Sequence, residues 1–263
     1  MRSEIRCIVL VLIVAVSACK KKNYDSVRLL GHAGAGLTST TSLYPPNSAE
    51  AIHYAVNCDG IDGCEVDCQL SADGTIWLYH NIDLSELTTG EGCINEKSDA
   101  YLETVRFKTS GKEKLIRLKD LDFPYGKKYL LLDIRHANSC ESQIIAFDTY
   151  LGGIQEALAG KDVSLVKTVS LDVTYVNGFV AAGIPVYYEF DDFSQFQNLP
   201  DGISGICMRN EYISYDQADE VRASGLGLII FEVRAPKSIR QALKKFPDFL
   251  LVDDLNTAII EKY

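Results

Sequence analysis

The chain of 263 residues is 47% hydrophobic and 24% charged, a globular balance that excludes a disordered, collagenous or multi-span membrane protein. Its 36 acidic residues outnumber 26 Lys and Arg, for a formal net charge of −10. Gripping a nucleic-acid backbone requires clustered cations, and Lys20–Lys22 is the only cluster, so a nucleic-acid partner is excluded too.

Arg2 and Arg6 precede Cys7–Ala18, an apolar run broken only by Ser17. At about 1.5 Å per residue this run is too short to span a bilayer, but it fits the core of a secretory signal. It ends Val16-Ser17-Ala18-Cys19. Small residues before a Cys resemble a bacterial lipoprotein signal, in which residues 1–18 are removed and Cys19 becomes the lipidated first residue. Residues 19–26 then read as a polar tether. The mature domain, 27–263, is expected to be lipid-anchored to a bacterial membrane, facing the periplasm or the cell exterior, where disulfides are permitted.

From Val27 onward no linker or low-complexity stretch divides the chain, so one domain is expected. Short apolar runs predict strands at Val27–Leu30, Gly63–Gln69, Thr75–His80, Tyr129–Ile134, Ser164–Ser170, Ile184–Tyr188, Ile203–Cys207, Leu226–Phe231 and Phe249–Val252. Helical patterns fall at Ser48–Asn57, Glu141–Leu158, Thr174–Ala181, Tyr215–Ala223, Pro236–Lys244 and Asp254–Glu261, with Asp172 and Asp253-Asp254 supplying carboxylates at helix starts. Strand–helix alternation implies a mostly parallel sheet. Asp73-Gly74 is a hairpin turn, so Thr75–His80 is an antiparallel arm. Without it eight strands remain, which predicts an α/β fold, a closed (β/α)8 TIM barrel with a small insertion after the second strand. An open doubly wound sheet is the alternative, but Gly31-His32-Ala33-Gly34-Ala35-Gly36 lacks the dinucleotide fingerprint spacing.

Side chains alternate along a strand, so Glu65 and Asp67 share one face, about 6–7 Å apart at their roots. Such a pair suits one hard divalent cation, Ca²⁺ or Mg²⁺. Asp133 ends another apolar run, at the strand end where barrels place their sites, and Arg135 beside it offers a planar fork for phosphate. Of four histidines, His32 ends the first strand and His80 the hairpin arm. Two imidazoles at one rim can take a proton from a nucleophile and give one to a leaving oxygen. His53 lies in a helical pattern and reads as packing; His136 is out of phase with Asp133.

These pieces together resemble the glycerophosphodiester phosphodiesterase family, within the phospholipase C-like phosphodiesterase superfamily, in a bacterial lipoprotein form. The family's His-Arg-Gly is matched by His32-Ala33-Gly34, and its Pro-Glu-Asn-Ser by Pro45-Pro46-Asn47-Ser48. Its Glu-x-Asp-Val-x-Leu, Asp-Gly and His-Asp stretches are matched by Glu65–Leu70, Asp73-Gly74 and His80-Asn81. Thr88-Thr89-Gly90-Glu91-Gly92 matches a following loop. The resemblance implies His32 and His80 as the acid–base pair and Glu65, Asp67 and Asp133 as metal ligands. It implies Arg135 in place of a phosphate-facing Lys, Phe231 as the nearest counterpart of a substrate-side Trp, and an inserted subdomain at roughly 81–117 over the site. It departs at Ala33, where the family holds phosphate with Arg, and at Pro46 and Asn81, where it has carboxylates.

Cys64 and Cys68 lie on the strand face opposite Glu65 and Asp67 and, about 13 Å apart, cannot pair with each other. Cys93 in the insertion and Cys140 after Asp133 can both reach one rim, which allows a bridge; burial as small apolar residues is the default for the others. The expected activity is metal-dependent hydrolysis of a small-molecule glycerophosphodiester to glycerol phosphate and an alcohol, with no protein partner. A sphingomyelinase D-like or lysophospholipid phosphodiesterase is an alternative of the same class. A surface lipoprotein that binds a phospho-glycerol or sugar ligand without cleaving it is the alternative of another class.

Overall fold

The computed structural model describes residues 23–37, 44–109, 111–140 and 145–263. The signal segment and Cys19 lie outside the described residues, and among the described residues no helix is long and apolar enough to cross a membrane.

Eight strands run parallel in the order β1 (Arg28–Gly31), β2 (Gly63–Leu70), β4 (Tyr129–Ile134), β5 (Val166–Ser170), β6 (Val186–Glu189), β7 (Gly205–Arg209), β8 (Gly227–Val233) and β9 (Phe249–Val252). Pairing of β9 with β1 and of β1 with β2 closes the ring, giving the expected (β/α)8 barrel. The arm β3 (Ile76–Leu78) pairs antiparallel with β2 and stays outside the ring. It is shorter than the expected Thr75–His80, so His80 lies beyond the ladder on irregular backbone.

Period-two alternation sorts the strand residues into two cores. Leu30, Leu131, Val169, Tyr187, Cys207, Ile229, Phe249 and Leu251 fill the barrel interior. The opposite faces pack against an outer shell of helices, where Cys64 and Cys68 are buried as expected. That shell contains α1 (Ala49–Asn57), α3 (Phe147–Ala157), α4 (Val173–Ala181), α5 (Tyr215–Ala223), α6 (Pro236–Leu243) and α7 (Leu255–Lys262), while a single turn, α2 (Asp99–Leu102), belongs to the insertion. Side-chain caps start most of the shell helices: Ser48 for α1, Asp172 for α4, Ser214 with Gln217 in a reciprocal capping box for α5, and Asp254 for α7. Helix α3 begins later than expected, at Phe147, where Ala146 precedes it without a side-chain cap.

The segment after β3 builds, with Trp77 of β3, its own small core from Tyr79, Leu84, Ile94, Leu102, Val105, Phe107 and Leu115. Asp99 ties it to the hairpin, accepting hydrogen bonds from Ser71 Oγ, Thr75 Oγ1 and Trp77 Nε1. A Cys93–Cys140 disulfide, with Cα atoms 5.7 Å apart, ties it to the loop after β4.

Candidate active site

A cavity of about 310 Å³ opens at the C-terminal ends of the strands and is lined by His32, Glu65, His80, Asp133, Arg135 and Phe231, which the sequence reading selected, and by Glu189, Arg209, Glu232 and Arg234, which it did not.

Strand β2 puts Glu65 and Asp67 on the inner face, 2% and 1% exposed, and Asp133 stands directly across from Asp67 in the β2–β4 register. The three residues offer ligand oxygens that all lie within 4.8 Å of one another. Glu65 Oε2 accepts the Ala33 amide at 2.7 Å, while Oε1 is buried with no hydrogen-bond partner. Burial, then repulsion from Asp67 and Asp133, pushes the Glu65 carboxyl well above the usual carboxylate range; burial is also the main cause that raises Asp133, against the pull of Arg135. An orphaned carboxylate oxygen inside a converging acidic trio fits a hard divalent cation, which supplies the charge and ligand demand that the protein leaves unmet.

Local folding explains why these groups converge. The turn after β1 runs through Ala33 at φ +48° and Gly34 at φ +86°, which brings the Ala33 and Gly34 amides onto Glu65. A Cβ on Gly34 would lie 2.9 Å from the α1 backbone, so only glycine lets the turn approach α1 this closely. Asn47, also left-handed at φ +64°, grips Asp67 twice: its Nδ2 donates to Oδ2 at 2.7 Å and its Oδ1 accepts the Asp67 amide at 2.9 Å.

The two histidines are held through Nδ1. His32 Nδ1 lies 3.1 Å from Asp253 Oδ1, and its Nε2 is 3.9 Å from Glu65 Oε2. Of the two aspartates the sequence offers at this helix start, Asp254 caps α7, and Asp253 turns inward to orient His32. His80 Nδ1 lies 2.9 Å from Asn81 Oδ1, while Asn81 Nδ2 donates to Glu86 at 2.8 Å, so the Asn81 oxygen faces the imidazole. Gln69 Nε2 binds the carbonyls on either side of His80, those of Tyr79 and Asn81. His53 is exposed on α1, and His136 stacks on Tyr175 with Nε2 3.3 Å from Asp172; neither lines the cavity.

Arg135 follows the end of β4, so strand alternation does not set its direction; its length carries Nη1 back to Asp133 at 3.1 Å and Nε to 3.8 Å from Asp67. Glu189 ends β6 on the cavity wall. Burial and the nearby Asp133 push its carboxyl up to about 8, opposed by Arg135 and Arg209. The signal for Glu189, Arg209, Glu232 and Arg234 was their place at or just past a predicted strand's C-terminal end. The predicted strands Ile184–Tyr188, Ile203–Cys207 and Leu226–Phe231 each stop one to three residues short of them.

The α/β barrel thus carries an acidic trio and paired histidines at its C-terminal rim. Residues 39–150 match the profile of the Glycerophosphoryl diester phosphodiesterase family. The fold is similar to that of an Oleispira antarctica phosphodiesterase solved with the product sn-glycerol-3-phosphate, with TM-score 0.76, 19% identity, and 89% of this chain and 96% of that chain covered. It is also similar to glycerophosphodiester phosphodiesterases of Parabacteroides distasonis (TM-score 0.69, 18% identity, 90% and 97% covered) and Thermotoga maritima (0.67, 18%, 89% and 96%). No curated protein matches the chain by direct sequence comparison.

Proposed function

We propose that the protein hydrolyses glycerophosphodiesters to glycerol phosphate and an alcohol, with one divalent cation, Ca²⁺ or Mg²⁺, held by Glu65, Asp67 and Asp133. The observation that carries this reading is the orphaned Glu65 oxygen within the acidic trio, on a carboxylate whose other oxygen lies 3.9 Å from an imidazole held at its second nitrogen by Asp253. The cation would offset charge on the phosphoryl oxygens.

The protein's own groups supply the proton traffic. With Nδ1–H donated to Asp253, neutral His32 presents a lone pair at Nε2, toward the acidic trio. The Asp253 carboxylate compensates the positive charge that arrives when Nε2 takes a proton, as in other oriented-histidine sites. His80 is oriented by a neutral amide instead, with Nδ1 on Asn81 Oδ1, which leaves Nε2 to give a proton. His32 therefore serves as the base that takes a proton from the attacking hydroxyl, and His80 as the acid. The attacking oxygen bonds to phosphorus, the phosphorus–alkoxide bond breaks, and the His80 proton goes to the departing alcohol.

The anchor is a second proposal: lipidation at Cys19 would hold this barrel at a membrane surface, in keeping with the disulfide between Cys93 and Cys140. The test of the activity is a panel of glycerophosphodiesters and lysophospholipids, incubated with Ca²⁺, with Mg²⁺ or with chelator, and read by product identification. Release of glycerol phosphate that stops with chelator is expected; full turnover by metal-stripped protein would refute the site.

A further inference from the structure

Three arginines line the cavity, and their commitments differ. Arg135 makes one hydrogen bond, from Nη1 to Asp133 at 3.1 Å; its Nε is buried without a hydrogen-bond partner, 3.8 Å from Asp67, and its side chain is 20% exposed. Arg209 donates through Nε to Asp191 at 3.0 Å and through Nη1 to Glu232 at 2.9 Å, with its guanidinium over the Phe231 ring. Arg234 makes no such bond: its nearest carboxylates, Glu232 and Asp253, are each 3.6 Å away, beyond hydrogen-bond distance, and its side chain is 57% exposed.

Both neighbours of Arg234 have other partners. Glu232 is held by Arg209, and Asp253 accepts the Leu37 amide at 3.0 Å while facing His32. Withdrawing Arg234 toward a ligand therefore leaves no carboxylate stranded. The backbone has also been shaped to put it there. Strand β8 loses register against β9 between Ile230 and Val233, and Glu232 sits in this bulge at φ +57°, a conformation that side-chain-bearing residues rarely adopt. The bulge sends Phe231 and Glu232 to the cavity wall and brings Arg234 next to Asp253, on the His32 side of the cavity.

We propose that Arg234 is a cation that grips the phosphoryl oxygens of the substrate. This rests on the phosphodiesterase reading and adds to it a residue that binds the anion. A guanidinium fork with uncommitted donors matches two phosphate oxygens at once. Arg135 balances the carboxylates against which the phosphate must dock.

The test is calorimetric titration with sn-glycerol 3-phosphate in the presence of Mg²⁺ or Ca²⁺, on wild type, Arg234→Gln and Arg234→Lys. Loss of a charge-assisted hydrogen bond should weaken binding roughly 10–100-fold in Arg234→Gln, with partial recovery in Arg234→Lys. In turnover assays the same variant should raise KM more than it lowers kcat. Because Arg234 is exposed, its variants should melt with the wild type. Equal affinity of wild type and Arg234→Gln overturns the proposal, as does failure of wild type to bind the probe. If wild type binds the probe but cleaves no diester, the activity reading falls while the affinity comparison still decides the role of Arg234.

Discussion

The two sides of the cavity are built differently. The β2–β4 side is in-strand, almost fully buried, and anionic beyond what its cations balance: Glu65, Asp67 and Asp133 face Arg135 alone. The β7–β8 side lies at and just past the C-terminal strand ends, is partly exposed, and alternates sign along Asp191, Arg209, Glu232 and Arg234. The first side is poised for a cation and the second for a polar, anionic substrate. Burial without a partner is costly, and it is tolerated on the β2–β4 side only where something else completes the site. On the β7–β8 side no such debt exists, because each carboxylate there has an arginine.

His32 joins the two sides through Asp253, which contacts it at 3.1 Å and approaches Arg234 at 3.6 Å. The largest expected effects are therefore at the histidines. His32→Ala and His80→Ala should each lower kcat about 10²–10⁴-fold, the usual worth of general acid or base catalysis, while His53→Ala leaves it unchanged. Asp253→Asn keeps the shape but removes the compensating charge, so it should lower kcat across the pH–rate profile while the fold persists. An Asp253→Asn profile superimposable on wild type would separate the two sides and undo the base assignment.

This contrast also explains what could be read from residues alone. Glu65-x-Asp67 is an alternation inside one strand, and Asp133 terminates an apolar run, so strand geometry alone places them on one inner face. The nine strands and six longer helices were legible for the same reason, periodicity. Glu232 and Arg234 escape because a bulge and a left-handed residue decide where they point, and neither leaves a periodic trace, while Arg209 was missed by a strand boundary set two residues early. Asp253 was visible, but a pair of adjacent aspartates before a helix does not say which one caps it. Glu189 was missed by a strand boundary set one residue early.

A smaller effect is expected where the insertion is tied to the first side. The loop leaving β4 carries Arg135 and is held by the Cys93–Cys140 bridge, by Asn95, which accepts the Cys140 amide at 3.0 Å, and by Asn138, whose side chain donates to the His80 carbonyl. Cys93→Ser with Cys140→Ser removes one tether. A disulfide typically contributes roughly 2–4 kcal/mol, so a lower melting temperature is expected with the barrel intact. Turnover should fall by about tenfold or less, since the hydrogen bonds remain. If the double variant lost as much activity as His80→Ala, the bridge would be setting the geometry of the first side and not only its stability.

The smallest effect is at Glu189, where the two sides meet. Its carboxyl is raised from 4.5 to about 8 by burial and by Asp133. Between those pH values the folded protein keeps a proton that the unfolded chain has released, so this residue makes stability fall as pH rises through the window and contributes no further change above it. Glu189→Gln has no proton to lose. The variant should therefore melt increasingly above wild type from about pH 5 to pH 8, with the gap constant beyond. A divalent cation at the acidic trio offsets Asp133, one source of the shift, so added Mg²⁺ should narrow the gap. Thermal melts of both proteins across this range, with and without Mg²⁺, read the difference directly. Parallel melting curves at every pH would mean that Glu189 is ionised throughout and balanced by Arg135 and Arg209, and the seam between the two sides would then be a salt-bridge network and not a buried neutral acid.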